Sequence, residues 1–332
     1  KQSGFIMEEK HQSLDPYKHL KLVSNNDGTI TRLRVDPPTS PASDPSLPIS
    51  VLTKDIMISP QFNVYVRIFL PRKALDNSSP KLLLPLILYF HGGGFILFSA
   101  ASSMFHDFCV NMTGAVQAIV VSLEYRLAPE HRLPAAYDDA MEALHWIKTN
   151  QDDWLKEYAD YSSCYLMGSS SGANIVYHTA LRVAAGSESC EPLKIRGLIL
   201  VQPFVGGMER CGSELRLVND PVLPLCVTDL MWELSLPVGS NRDHEYCNPT
   251  AGRNDEKKKM EKMRGFGWRV MMVGVGGDPL VDRQKEMVTW LEENGVRVEA
   301  SFEAGYNHGV ELRNPVKQKE LFSKIKTFVA SL

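Results

Sequence analysis

Short apolar runs and amphipathic segments alternate along the chain from residue 51 onward. Runs rich in β-branched and aromatic residues predict strands at 64–69, 85–90, 118–123, 164–167, 197–201, 270–275 and 298–302. Apolar residues spaced by three and four predict helices over 136–147, 175–184, 287–291 and 316–329. The first predicted strand alternates, which indicates one polar face. Strands that alternate with helices predict an α/β fold with a mostly parallel central sheet flanked by helices.

Two segments depart from this alternation. Residues 1–50 are polar and rich in Pro, Ser and Asp, which predicts an extended arm with a short helix near 16–22. Residues 208–249 hold Trp232, several prolines and few strand signals, where an insertion over the sheet would fall. We therefore expect one domain over 51–332, with a cap formed by the arm and the insertion. A plain surface excursion is the alternative interpretation of the insertion.

Ser170 is the centre of a Gly-x-Ser-x-Gly motif at 168–172. The motif by itself is short enough to occur by chance, but its flanks make it more specific. Residues 164–167 are strand-like and 173–178 are helix-like, and strand, sharp turn and helix together form a nucleophile elbow. The turn is crowded, so it requires small flanking glycines. Ser170 is the predicted nucleophile at its tip.

A serine hydroxyl needs a base to take its proton before it can attack. His308 follows the predicted strand 298–302 in a loop before the last helix, and we predict that it is this base. Asp278 comes directly after the apolar run 270–275, where a strand ends and an acid can orient the imidazole. Asp282 is the rival acid, but a position at the start of a helix favours a structural role.

A His-Gly-Gly-Gly motif follows the predicted strand 85–90. The predicted oxyanion loop consists of His91, Gly92, Gly93 and Gly94. The oxyanion of a tetrahedral intermediate needs backbone N–H donors, and a loop without side chains can approach it closely. We predict that the amides of Gly93, Gly94 and Ser171 are these donors, and that His91 braces the loop.

Composition excludes several other classes of function. The chain has 332 residues, 44% of them hydrophobic, and a formal net charge of −3, which argues against a nucleic-acid partner. The longest apolar stretch, 82–90, is far below the roughly 20 residues that span a bilayer, and no basic-then-apolar leader is present, so neither a membrane partner nor secretion is expected. Six scattered cysteines without a CxxC pair indicate a reduced, cytoplasmic protein.

Metal and phosphate chemistry are the competing uses of these residue types. Neither a His-x-x-x-His pair nor an acid cluster at ligand spacing is present, so no metal site is predicted. The glycine runs lack the Lys-Ser/Thr that follows in a phosphate-binding loop. Both alternatives are therefore rejected.

With these motifs, the segments 124–131, 134–136, 243–249 and 277–280 resemble the hormone-sensitive-lipase-like α/β-hydrolases, and most closely the plant carboxylesterases. The resemblance extends from about residue 14 onward. It implies an α/β-hydrolase sheet with a cap, and activity on small acyl esters without a cofactor. We expect a largely apolar pocket between elbow and cap. Its expected walls include Phe95, Ile96 and Trp232.

The chain departs from this family beside the nucleophile, where Ser169 replaces the usual acidic residue. Related members have other functions: the gibberellin receptor lacks the catalytic histidine, and 2-hydroxyisoflavanone dehydratases carry threonine at the nucleophile. Ser170 and His308 therefore favour a carboxylesterase that cleaves short-chain acyl or acetate esters. An eliminating or cyclising enzyme of plant specialised metabolism with His308 as base, and a small-molecule receptor, are the alternatives that stay open.

Overall fold

The computed structural model describes residues 14–76, 83–149, 152–186, 190–251 and 254–331. Its strands are β1 (Leu22–Ser24), β2 (Ile30–Arg32), β3 (Val51–Ser59), β4 (Val64–Pro71), β5 (Leu84–Phe90), β6 (Ile119–Glu124), β7 (Ala159–Ser169), β8 (Ile195–Val201), β9 (Arg269–Val275) and β10 (Arg297–Glu303). Its α-helices are α1 (Pro16–Leu20), α2 (Ser103–Val116), α3 (Ala135–Thr149), α4 (Asp153–Tyr158), α5 (Ser171–Ala184), α6 (Gly212–Arg216), α7 (Leu225–Ser235), α8 (Asn254–Gly265), α9 (Val281–Glu293) and α10 (Pro315–Ala330). Short 3-10 helices span Pro60–Phe62, Arg72–Leu75 and Val310–Leu312.

Eight of these strands form one sheet in the order β10-β9-β8-β7-β5-β6-β4-β3. The strands from β10 through β5 to β6 are parallel to one another, whereas β4 and β3 pair in the antiparallel sense at one end. The predicted mostly parallel α/β sheet is therefore confirmed. In such a sheet the carboxyl ends of the parallel strands share one edge, and loops at that edge form the site.

Helices cover both faces of the sheet, which explains why its central strands are apolar on both sides. On one face α2 packs against α10, with the rings of Phe108 and Phe322 5.2 Å apart. The other face holds α3, α5 and α8, and α5 contacts both β7 and β8. The core consequently has two layers with the sheet between them, and both layers include residues of β5, β7 and β8.

Strand β4 differs from the expectation that one of its faces is polar. Its pattern alternates in sequence, but Arg67 is only 1% exposed. The guanidinium donates from Nε and Nη2 to the two carboxylate oxygens of Asp55 on β3, at 2.6 and 2.7 Å. It also donates from Nη1 to the carbonyl oxygen of Thr39, at 2.7 Å. Paired in this way, a charged residue is buried where the pattern indicated solvent.

The described part of the N-terminal arm, residues 14–50, reaches the neighbourhood of the insertion. Residues 1–13 of the expected arm lie outside the described residues. Helix α1 contacts α7, which belongs to the segment 208–249. The antiparallel pair β1–β2 follows, and Arg32 donates to the carbonyl oxygens of Ile96 and Ala128 at 2.6 and 2.7 Å. The arm is thereby attached to the loops at the carboxyl edge of the sheet.

The cysteines and the helices bear on the remaining expectations from composition. All six cysteines carry free thiols, and Cys109, Cys164 and Cys247 are buried. Burial raises the pKa of these three thiols, so they are poor nucleophiles. Within the described ranges, no helix is both long and apolar enough to cross a bilayer.

Candidate active site

Ser170 lies at a sharp turn between β7 and α5, as the motif predicts. Its backbone has φ 56° and ψ −119°, a conformation that non-glycine residues rarely adopt. Two hydrogen bonds hold it there: the Ser170 amide donates to the Val201 carbonyl at 2.8 Å, and the Phe204 amide donates to the Ser170 carbonyl at 3.0 Å. The strained residue is held by strand β8 and the residues that follow it.

The two motif glycines are required by close packing around this turn. A Cβ on Gly168 would lie 2.2 Å from the carbonyl carbon and oxygen of Gly172. A Cβ on Gly172 would lie 2.0 Å from the carbonyl oxygen of Phe90 at the end of β5. Only hydrogen fits at these positions, so α5 can start directly against β5 and β7.

The structure brings the three predicted catalytic residues into one hydrogen-bonded chain. His308 Nε2 lies 2.9 Å from Ser170 Oγ, and His308 Nδ1 lies 2.8 Å from Asp278 Oδ2. His308 follows β10 and Asp278 follows β9, so each reaches the site from a different strand end. This geometry suits transfer of the serine proton to the imidazole and orientation of the imidazole by the acid.

Asp278 is fully buried and has a complete set of donors. Its Oδ2 also accepts from Gln284 Nε2 at 2.8 Å, and its Oδ1 accepts from the Leu280 amide at 2.9 Å. Asp282 faces elsewhere, and its Oδ2 accepts from the Ser213 amide at 2.7 Å. The rival acid therefore anchors α6 to α9, and only Asp278 contacts the histidine.

The electrostatics of His308 favour the protonated imidazole. Burial by itself lowers the pKa of His308, whereas the charge and hydrogen bond of Asp278 raise it. Glu311 contributes in the same direction, whereas Arg313 opposes it. The net result is a pKa raised above the ordinary 6.5. A histidine in this setting is a stronger base toward the serine hydroxyl.

The glycine loop lies directly against the elbow. A Cβ on Gly92 would lie 3.2 Å from Cβ of Ser170, and Gly93 and Gly94 have φ of +124° and +61°, which glycine adopts without strain. Ser171 is the first residue of α5, where backbone amides have no intrahelical acceptor. Gly93 and Gly94 line the same cleft as Ser170, and Ser171 directly follows it in the chain.

His91 supports this loop from inside the core. It is fully buried, its Nδ1 lies 2.7 Å from the Gly92 carbonyl oxygen, and its ring stacks on Tyr125 at 4.3 Å. The Tyr125 hydroxyl donates to the His91 carbonyl at 2.9 Å. Burial lowers the pKa of His91 to about 4, so the ring is neutral near pH 7. The side chain therefore packs and hydrogen-bonds without adding charge to the site.

Ser170 and His308 open into a cleft of about 200 Å³ that is connected to solvent. Its apolar wall includes Leu20, Leu97, Phe98, Phe105, Leu223 and Met231. Arg34 and Arg313 also line it, and both are exposed. The cleft therefore combines a mainly apolar wall with charged residues that solvent reaches.

The prediction that Phe95, Ile96 and Trp232 line the cleft is wrong, because none of them is among its lining residues. Phe95 and Ile96 are fully buried and Trp232 is 2% exposed. The Trp232 ring stacks on Phe204 at 4.6 Å and lies 5.6 Å from Phe95. They form a layer behind the wall, and their sequence neighbours Leu97 and Met231 face the cleft instead.

Three polar residues of the site are absent from the sequence-based expectations. Gln284 holds Asp278, whereas Gln202 and Glu311 line the cleft beside His308. Gln202 directly follows β8, so the rule that the strand ends of a parallel sheet meet at one edge was the available signal. The only sequence signal for Glu311 was its position three residues after His308, and this spacing does not indicate burial.

The chain is similar to known proteins in both sequence and structure. A family model described as alpha/beta hydrolase fold matches residues 87–312. "Carboxylesterase 20" of Arabidopsis thaliana is 48% identical over 98% of this chain and 100% of its own length. A 3-O-acetylpapaveroxine carboxylesterase of Papaver somniferum is 46% identical over 95% of this chain and 97% of its own. A hyperthermophilic esterase from the archaeon Pyrobaculum calidifontis superimposes with a TM-score of 0.70 at 25% identity, covering 86% of this chain and 87% of its own.

Proposed function

Because this chain belongs to the α/β-hydrolase-fold family, among the plant carboxylesterases, we propose that it hydrolyses small carboxylic esters through an acyl-enzyme on Ser170. One observation carries the proposal. Asp278, His308 and Ser170 form a continuous hydrogen-bonded chain that ends in an accessible cleft. Relatives named as carboxylesterases support the reaction type.

In the proposed first half-reaction, Ser170 Oγ attacks the ester carbonyl carbon while its proton passes to His308 Nε2. The carbonyl oxygen becomes an oxyanion, and the amides of Gly93, Gly94 and Ser171 donate hydrogen bonds to it. The intermediate then collapses, and the alcohol leaves with the proton from His308. The acyl group stays on Ser170.

In the second half-reaction, water takes the place of the alcohol. His308 accepts a proton from the water, whose oxygen attacks the acyl carbon, and the same amides stabilise the second oxyanion. Collapse releases the carboxylic acid as His308 returns the proton to Ser170. Asp278 stays ionised and stabilises the imidazolium in both halves.

We infer that α1 and the segment 208–249 together cap this site. Leu20 from α1 and Leu223 and Met231 from the segment line the same cleft as Ser170. Closing an active site with apolar groups excludes water and strengthens its electrostatic interactions. The arrangement supports the cap interpretation over a plain surface excursion.

The cap also supports a preference for short acyl groups. A Cβ on Gly94 would lie 2.3 Å from the Met231 Sδ, so this side chain packs directly on the oxyanion loop. An acyl chain held with its carbonyl oxygen at that loop therefore meets Met231 after a few carbons. An acetyl ester is named as the substrate of the Papaver somniferum relative, which agrees with a short acyl group.

The test is hydrolysis of p-nitrophenyl esters from acetate to octanoate by wild type, Ser170→Ala and Ser162→Ala. Ser162 is an exposed serine on β7 and serves as the matched control. We expect rates that fall with chain length, loss of turnover in S170A and wild-type rates in S162A. An organophosphate should transfer its phosphoryl group to Ser170 Oγ with loss of its leaving group, and mass spectrometry should find the added phosphoryl group on Ser170. Turnover retained in folded S170A, or a label elsewhere, would overturn the assignment.

Isotope labelling separates hydrolysis from the elimination that the family also includes. Hydrolysis in ¹⁸O-water places one heavy oxygen in the released acid of an acetate ester, because the acyl-enzyme is cleaved by water. Elimination of acetate forms an alkene and leaves both acetate oxygens unlabelled. Unlabelled acetate together with an unsaturated product would replace the esterase proposal with a lyase.

A further inference from the structure

One buried carboxylate beside the site has no role in the steps above. Glu311 lies three residues after His308, in the 3-10 helix Val310–Leu312, and is 3% exposed. It lines the cleft together with Ser170 and His308. Its Oε2 accepts a hydrogen bond from Gln202 Nε2 at 2.8 Å, so its partner there is a neutral amide. A neutral amide satisfies one oxygen of the carboxylate without pairing it with a cation.

Gln202 connects this carboxylate to the loop of the base. Its Oε1 accepts from the amide of Gly309, the residue after His308, at 2.6 Å. The backbone amide of Gln202 donates to the Val273 carbonyl of β9 at 2.7 Å. Gln202 is 2% exposed and has a φ of 47°, so it is held in a strained conformation. Glu311 and the backbone beside His308 are thereby attached to the sheet through one side chain.

On the cleft side, the cation that acts on Glu311 is the protonated form of His308. On that side Glu311 interacts electrostatically with His308, Asp278 and Tyr89, and Arg313 is the other cation acting on His308. On its outer side a small cavity is lined by Glu303, Glu320, Lys317 and Lys324. Lys317 forms ion pairs with both of those glutamates, and Lys324 donates to Ser301 Oγ at 2.8 Å.

The residue beside the nucleophile adds no charge of its own. Ser169 is 2% exposed, lines the same cleft, and its Oγ accepts from the Tyr89 hydroxyl at 3.3 Å. Among the described residues that line the cleft, Glu311 is the only acid. Negative charge within the cleft wall therefore comes from the loop that carries the base.

We propose that Glu311 is a positioning residue for the reaction, which acts through His308 by stabilising its imidazolium and, with Gln202, by fixing its loop. This role rests on the proposed esterase function and adds a second carboxylate to the one supplied by Asp278. Burial raises the pKa of Glu311, and the imidazolium that forms during attack favours its ionised state. The two groups therefore support each other's charge at the moment when the base carries the serine proton.

Glu311→Gln tests the charge with little change in shape, because glutamine can still accept from Gln202. We expect kcat on p-nitrophenyl acetate to fall about tenfold with KM within about twofold, since the base is weakened while substrate contacts stay. The acid limb of the rate profile should move to lower pH. Glu320→Gln removes an exposed charge next to the same small cavity and should match wild type in all three quantities.

A structural role alone gives a different result. A purely structural role predicts that folded E311Q has lower thermal stability but the same pH profile and kcat as wild type. That outcome would contradict the proposal. Equal effects in E320Q would do the same, because they would show a general response to charge. If E311Q does not fold, Gln202→Leu tests the link by removing the amide that holds the carboxylate. The same fall in kcat at unchanged KM is then expected, and unchanged kcat overturns the role.

The outcome for Glu311 is separable from that for the esterase itself. Wild-type turnover that disappears in S170A but is unchanged in E311Q removes only the Glu311 role. Wild type without turnover on any ester of the series removes both.

Discussion

Asp278 Oδ2 lies 2.8 Å from His308 Nδ1 and joins two residues that are 30 positions apart. The carboxylate is fully buried, and the Leu280 amide and the Gln284 side chain supply its other hydrogen bonds. A carboxylate fixed on three sides cannot rotate away from the imidazole. The histidine therefore keeps the tautomer in which Nε2 is free to accept the serine proton.

The first prediction concerns this acid. Asp278→Asn should reduce kcat by a factor of about 10³ to 10⁴, because an amide can hold the wrong tautomer and cannot stabilise imidazolium. Steady-state kinetics on p-nitrophenyl acetate measures the effect. Asp282→Asn is the control, and its carboxylate contacts Ser213 rather than the histidine. A large loss of activity in D282N with little loss in D278N would reverse the assignment of the acid.

The second prediction is the pH profile of kcat/KM. The base is competent only when neutral, and the pKa of His308 is raised above 6.5 despite burial, because of Asp278 and Glu311. Activity should therefore be lost as pH falls through a midpoint above the 6.5 of an ordinary histidine. A stopped-flow series from pH 5 to 9 locates the midpoint. A profile that stays flat to pH 5 would count against a histidine base.

The third prediction concerns the elbow glycines. Gly172→Ala should lower the free energy of unfolding by about 3 kcal/mol, because its Cβ would lie 2.0 Å from the carbonyl oxygen of Phe90. Gly114→Ala in α2 is the matched control, since no atom outside its own helix lies within 4 Å of its Cβ position. That variant should gain up to about 1 kcal/mol from helix propensity. Urea unfolding compares the two, and equal stability would contradict the packing argument.

The fourth prediction concerns acid stability. His178 is buried, stacks on Tyr137 at 4.8 Å, and burial lowers its pKa to about 3. Since the unfolded chain binds this proton near pH 6.5, stability is present above 6.5 and is lost as pH falls below it. The loss reaches about 2 kcal/mol at pH 5. His178→Phe should remove that part of the difference between pH 7.5 and pH 5.

Urea unfolding of His131→Phe at the same two pH values is the control, because His131 is exposed. Buried His91 is unchanged in both variants, so its own contribution cancels. If H178F keeps the full pH dependence of wild type, His178 is not the acid-sensitive group.

The sequence alone was sufficient to predict the layered sheet and the three residues that form the hydrogen-bonded chain. Apolar runs specify strands locally, and a parallel sheet places the ends of those strands at one edge. Ser170, Asp278 and His308 each follow such a strand, so their convergence was predictable without coordinates. The elbow glycines were predictable for a similar reason, because the turn itself requires them.

Only the tertiary structure decided which side chains are buried and which face the cleft. In the loop after the oxyanion motif, Phe95 and Phe98 have φ of 66° and 73°. The backbone therefore turns at these residues, and neighbouring side chains point in different directions. Phe95 consequently packs on Trp232 while Phe98 lines the cleft. Arg67 and Glu311 are likewise buried by partners from other elements. Periodicity along the chain reports local preference, whereas burial depends on what distant segments place over each residue.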